Sequence, residues 1–206
     1  MVFIMRRWRQ TITIVPILMI LICVMVGCGK VNTSSPDIDT VSFMKDGKIV
    51  QTIVEDFAQD YYDVDELAAM TQDKIDLYSD SDGDIKCESV NESDGIVTVK
   101  IAYQADEDYM DFNSRELFFG TVKAAHEAGY VVKDMVLSDG ESLSDKQLEK
   151  IENNRAVIIE TGAGEELGIN VYGKILYVSG DVTQSGKKDA IIGATDEGKL
   201  SCIVFK

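Results

Sequence analysis

The strongest candidates for chemistry are acidic side chains around a glycine turn. Asp80-Ser81-Asp82-Gly83-Asp84 places three carboxylates within five residues. Carboxylate oxygens suit calcium, a hard cation. Setting Gly83 at the sixth position of an EF-hand loop puts Tyr78 first and Ser89 twelfth. Neither is a carboxylate, so an EF-hand is excluded. Asp80, Asp82 and Asp84 remain as ligands for a looser metal site, against the plainer reading of an acidic helix-to-strand turn. His126 is the only histidine. A zinc site built on two histidines therefore cannot form, and a solvated helical residue is the expectation. Cys87 and Cys202 both fall in strand-like segments. Two readings stay open for them: a pair of buried thiols, or a disulfide made after export. As nucleophiles working with His126 they lack any neighbour that would favour a thiolate.

Other patterns argue against catalysis. Gly162-Ala163-Gly164-Glu165-Glu166-Leu167-Gly168 has the spacing GxGxxxG, not GxGxxG. Its two glutamates would repel a pyrophosphate, so it reads as a hairpin loop. Ser185-Gly186-Lys187-Lys188 matches S-x-x-K, but the SDN and KTG elements of penicillin-recognising enzymes are absent. Tyr103, Tyr109, Phe112 and Phe118 cluster with Asp106, Asp108 and Asp111. That segment could line a ligand groove; rings tucked into the core are the favoured reading. A carboxylate pair for glycoside hydrolysis cannot be picked out by eye among 36 acids, because the separation that matters is spatial. Nothing in the sequence calls for a cofactor.

These residues sit in a chain of 206 residues with a net charge of −16. Residues 1–27 hold Arg6, Arg7 and Arg9 and no acid. Beyond them 17 basic and 36 acidic residues remain, a net charge of −19. That balance argues against a nucleic-acid partner and against a body lying on anionic lipid. A basic head is followed by Ile12–Val26, an almost wholly apolar run. Fifteen residues make a helix of about 22 Å, too short for a hydrocarbon core of about 30 Å. This is the layout of an export signal.

Met25-Val26-Gly27-Cys28 resembles the lipobox of bacterial lipoproteins. The resemblance implies a diacylglycerol on the Cys28 thiol and cleavage before it, with Gly27 as the small residue the peptidase needs. Met25 departs from the usual aliphatic residue. The expected organisation is a signal peptide over 1–27, a lipidated tether over 28–40 and one extracytoplasmic domain over 41–206.

The body reads as strands mixed with about three helices. Strands are expected at Val41–Met44 and Lys48–Phe57 around Asp46-Gly47, and at Ile85–Asn91 and Ile96–Tyr103 around Asp94-Gly95. Asp63 and Glu66 have capping-box spacing for a helix ending near Tyr78. Ala105–Asn113 reads as a short helical or irregular connector. Ser114 is expected to cap a helix reaching Ala128, with Gly129 as its stop. Val131–Leu137 reads as a strand, and Ser144 with Gln147 as a second capping box. Strands follow at Ala156–Thr161, Ile169–Val178, Ala190–Ala194 and Leu200–Phe205. The sum is an α+β fold with a largely antiparallel sheet.

The body is also similar to uncharacterised small lipoproteins of Gram-positive anaerobes. Tyr61-Tyr62-Asp63, Tyr103, Asp108-Tyr109, Asp111-Phe112-Asn113, Gly120-Thr121-Val122 and Gly129-Tyr130 carry that likeness. It implies no activity. The expected role is a non-enzymatic binding or scaffolding protein, held to the membrane by lipid on Cys28. Its partner would be an envelope protein or a cationic ligand, steered by the negative body. A hydrolase using a carboxylate pair is the competing expectation.

Overall fold

The computed structural model describes residues 37–59, 62–78 and 84–206. The described residues lie within one compact unit. The fold is α+β, with five helices and thirteen strands among them, the strands forming two largely antiparallel sheets. None of the described helices is long and apolar enough to cross a membrane.

Two hairpins build most of the larger sheet. Strands β1 (Thr40–Phe43) and β2 (Ile49–Asp56) turn at Asp46-Gly47, and β3 (Ile85–Ser93) and β4 (Ile96–Tyr103) turn at Asp94-Gly95. Helix α1 (Val64–Tyr78) joins them. Asp63 caps it, its Oδ1 accepting the N–H groups of Asp65 at 2.9 Å and Glu66 at 3.1 Å. Three later strands complete this sheet: β9 (Leu167–Val171), β11 (Val182–Gln184) and β12 (Asp189–Ile192). The order is β11-β12-β9-β1-β2-β4-β3, and only β1 and β9 are parallel neighbours.

The smaller sheet has the order β5-β8-β13-β10-β6-β7. Its members are β5 (Leu117–Thr121), β6 (Leu137–Ser138), β7 (Glu141–Ser142), β8 (Arg155–Thr161), β10 (Ile175–Val178) and β13 (Lys199–Phe205). Helix α2 (Asp106–Asn113) leads into it, and α3 (Val122–Glu127), α4 (Val132–Met135) and α5 (Asp145–Ile151) cover its outer face. Side chains of β8 and β13 alternate between two cores. Val157, Ile159, Ile203 and Phe205 join the core shared with the larger sheet. Ala156, Ile158, Cys202 and Val204 join the core under α3, α4 and α5. Period-two alternation with both faces apolar makes these strands a middle layer.

Several expectations need correction. Residues 114–128 are not one helix. Leu117–Thr121 pairs with β8 as a strand, and the helix begins only at Val122, where Thr121 Oγ1 accepts the Ala124 N–H at 3.0 Å. Leu117, Phe118, Phe119 and Thr121 are bulky or β-branched and fit a pleated edge, and Gly120 weakens any helix there. Ser114 ends α2 in a left-handed conformation instead of starting a helix. Val131–Leu137 is a single helical turn followed by a two-residue strand. Val132 and Val136 are four apart, a spacing that serves a helix face as well as a strand face. Ile169–Val178 is two strands in different sheets, broken at Gly173. A Cβ there would collide with the backbone carbonyl of Lys206. The Gly162–Gly168 segment likewise carries the chain from one sheet to the other and is not a hairpin loop.

Gly129 was expected as a helix stop, and it closes α3 at φ +100°. The Tyr130 N–H reaches the Ala125 carbonyl and the Gly129 N–H reaches that of His126, each at 3.0 Å. This double closure needs a residue that tolerates positive φ. Space is open around the missing side chain, so the cost of Gly129→Ala is conformational alone. It should lower the unfolding free energy by about 1 kcal/mol, read as a lower urea midpoint with unchanged slope.

Candidate functional site

Three places could bind or react. The first is a cleft of about 380 Å³ on the helix layer. Val122 of α3, Val132 of α4 and Leu148 of α5 supply its apolar lining, and His126, Lys123, Lys133 and Asp145 its polar groups. Lys133 Nζ and Asp145 Oδ1 pair across it at 2.9 Å, between exposed side chains. His126 is exposed in the last turn of α3, as expected from sequence. The lining contains no Ser, Thr or Cys, so His126 has no hydroxyl or thiol to activate within the cleft.

The cysteines do not supply one. Both are free thiols, so the disulfide considered for Cys87 and Cys202 is not formed. The reason is the layering. Cys87 packs against the core between the sheets, whereas Cys202 points to the opposite face of β13, into the core beneath the helices. Burial pushes the Cys202 thiol up to about 12, and Cys87 is also raised, again by burial. Both are held as neutral thiols at physiological pH.

The second place is a group of charged side chains where the chain enters β1. Asp39 Oδ1 accepts the Val54 N–H at 2.8 Å, and its carbonyl accepts the Gly168 N–H at 2.8 Å. It thereby ties β2 to β9 across the start of β1. Burial raises its pKa, the Val54 bond opposes that, and the charge of Glu165 adds to it. Glu55, farther along β2, is raised by burial and then by Asp39. Glu165 is different. Burial pushes it up, but a two-pronged contact from Arg115 at 2.7 and 2.9 Å and the Gly162 N–H at 2.7 Å outweigh that and hold it low. Tyr109 lies buried close enough to feel Arg115, Glu165 and Asp39.

The aromatic–acidic segment is structural. Tyr103, Tyr109 and Phe112 are buried, with Tyr103 edge-on to both rings at 5.3 and 5.8 Å. Its acids close backbone gaps: Asp106 accepts the Phe119 N–H and Asp108 the Ala105 N–H, each at 3.0 Å. Ser185 and Lys188 sit in the β11–β12 turn, where Ser185 N–H bonds Asp189 O at 3.0 Å. The third place is a lysine-rich end of the sandwich, of which the sequence pointed only to Lys187 and Lys188, within the S-x-x-K match. Of the metal candidates, Asp84 is exposed before β3, whereas Asp80 and Asp82 lie outside the described residues, as do Cys28 and the signal segment. Among the described residues no cluster of three His, Cys, Asp or Glu is arranged to hold a metal.

No family model, curated protein or solved structure matches this chain. Its chemistry has to be read from its own geometry.

The carboxyl pair gives a signed prediction. A carboxyl with a raised folded pKa contributes stability that is complete below its unfolded value and is lost as pH rises through the folded value. Asp39→Asn keeps an acceptor for Val54 and removes the charge. It should be more stable than the parent at about pH 7 and match it below about pH 4. Urea unfolding across pH reads this, and a gain that grows on acidification would reject it.

Proposed function

We propose that this chain is a lipid-anchored cell-envelope protein whose body, on the extracytoplasmic face, binds or scaffolds another component without catalysis. The fate of the reactive side chains carries this reading. Cys202 is sealed beneath the helix cleft, the cleft offers no hydroxyl or thiol, and Asp106 and Asp108 of the aromatic segment are spent on backbone N–H groups. Cys28 supplies the anchor, since two acyl chains hold a protein to a bilayer where one does not. The end of the body that follows the tether carries Asp37, Asp39, Glu55, Asp56, Glu165 and Glu166. Anionic headgroups repel such a surface, so attachment falls to the tether and not to face contact. Cys28→Ala should therefore move the protein from the membrane fraction to the soluble fraction or leave it unprocessed. Unchanged attachment and mass would reject lipidation.

One observation favours the competing reading. Asp39 is pushed up and Glu165 held down, and the charges of both bear on Tyr109, the division expected of an acid and its ionised partner. If this is a hydrolase, a panel of chromogenic glycosides should yield turnover. Asp39→Asn and Glu165→Gln should then each lower it by about 100-fold or more. No turnover, or turnover untouched by either change, removes the reading.

A further inference from the structure

The two ends of the sandwich differ in sign. Where β1 begins, the loops are acidic. Where it finishes, lysines converge from separate stretches of chain. The corner between β9 and β10 holds Lys174, whose N–H donates to the Lys206 carbonyl at 2.7 Å, while the Lys206 N–H returns a bond at 3.0 Å. The β11–β12 turn folds over the same corner, with Lys187 O accepting from Ile175 N–H and Lys188 O from Val171 N–H, each at 2.9 Å. Lys174, Lys187, Lys188 and Lys206 are all exposed. Lys45 lies beside them, because Phe43 pairs with Val171 and the β1–β2 turn follows. Arg155 stands opposite Phe205 at the same end. Its guanidinium lies 4.4 Å over the Phe119 ring and has no carboxylate partner among the described residues. The acids here are few: Asp189 and Asp46 accept from neutral donors, the Asn170 amide at 2.7 Å and the Lys48 N–H at 3.3 Å, and keep their charge, while Glu88 is paired with Lys48.

We propose that this basic end is a binding face for a linear phosphate-bearing polyanion. Lysine is a compact point charge that meets phosphate without demanding one geometry. The face lacks what a protein partner would need. Protein interfaces are anchored by aromatic residues and arginine and are poor in lysine. Met44 is exposed in the β1–β2 turn, and Leu77 and Tyr78 are exposed where α1 leads toward β3. The net charge of −19 does not forbid this. The eight residues of β2 separate the ends by roughly 26 Å, against a screening length of about 8 Å at physiological salt. The acidic end then repels the polymer and orients it toward the lysines.

The inference names a partner class for the binding reading and rests on that part of it. It is independent of Cys28, whose test reads separately. The experiment uses the full chain in non-ionic detergent and fluorescent long-chain inorganic polyphosphate, followed by anisotropy between about 50 and 200 mM salt. Binding should saturate and weaken steeply with salt. The triple change Lys174→Gln, Lys187→Gln and Lys188→Gln should weaken it at least tenfold and flatten the log–log salt slope by about 2. Each single change should shift it the same way by less. The triple Lys100→Gln, Lys146→Gln and Lys150→Gln removes equal charge elsewhere and should leave affinity within twofold. Equal losses in both triples would mean bulk charge and overturn the site. So would absence of binding at the lower salt. Tighter capture of poly-glutamate than of polyphosphate would also overturn it and assign the face to an acidic protein.

Discussion

Two strands apolar on both faces set the rest of this structure. In β8 and β13, Ala156 to Ile159 and Ser201 to Phe205 are fully buried. Each large side chain removed from water contributes about 1.5–3 kcal/mol. The exposed ion pairs, by comparison, contribute up to about 1 kcal/mol each. The strands therefore have to be covered twice. The larger sheet covers one side and the three short helices the other. The cleft, the sealed cysteine and the corner loops all follow from that double covering.

The same constraint makes the C-terminal part of the chain inseparable from the rest. After β8, the chain passes to the larger sheet for β9, back for β10, across again for β11 and β12, and returns for β13. A split near residue 140 would leave β1 without its parallel neighbour β9 and β5 without β8. Each crossing needs a corner at one end of the sandwich, and corners are where polar residues collect. Tyr172-Gly173-Lys174 makes one such corner, and Gly162 to Glu166 makes one at the other end. The charged ends thus arise from the topology: one set of corners gathers lysines and the other gathers carboxylates.

Much of the fold was legible wherever a local signal was also the deciding one. Asp46-Gly47 and Asp94-Gly95 fixed two hairpins, Asp63 and Ser144 fixed two helix starts, and Gly129 fixed a stop. Legibility failed where tertiary pairing overrode local pattern. Leu117 to Thr121 became a strand because β8 needed an edge partner, which no helical wheel could report. Ile169 to Val178 divided because the chain must change sheets at Gly173. A missed signal was present in Ala156-Val157-Ile158-Ile159 and Cys202-Ile203-Val204-Phe205. Runs without alternation mark strands buried on both sides, and they imply a three-layer arrangement. The charged group at the start of β1 was illegible, since Asp39, Arg115 and Glu165 are far apart in sequence and carry no motif.

Net charge was the most persuasive number in the sequence and the least local. A balance of −19 is a sum over residues 28–206, but a partner meets only what lies within a screening length. In a sandwich whose ends are several such lengths apart, the sum constrains solubility and long-range steering and leaves each surface to its own charges. The four exposed lysines at one corner come from three segments spaced along residues 174–206. No sequence window holding only one of those segments shows them as a cluster. They become one when Lys206 pairs with Lys174 and the β11–β12 turn folds over both. The acidic bulk, set against the one basic end, then gives the body a direction: carboxylates where β1 begins, lysines where it finishes.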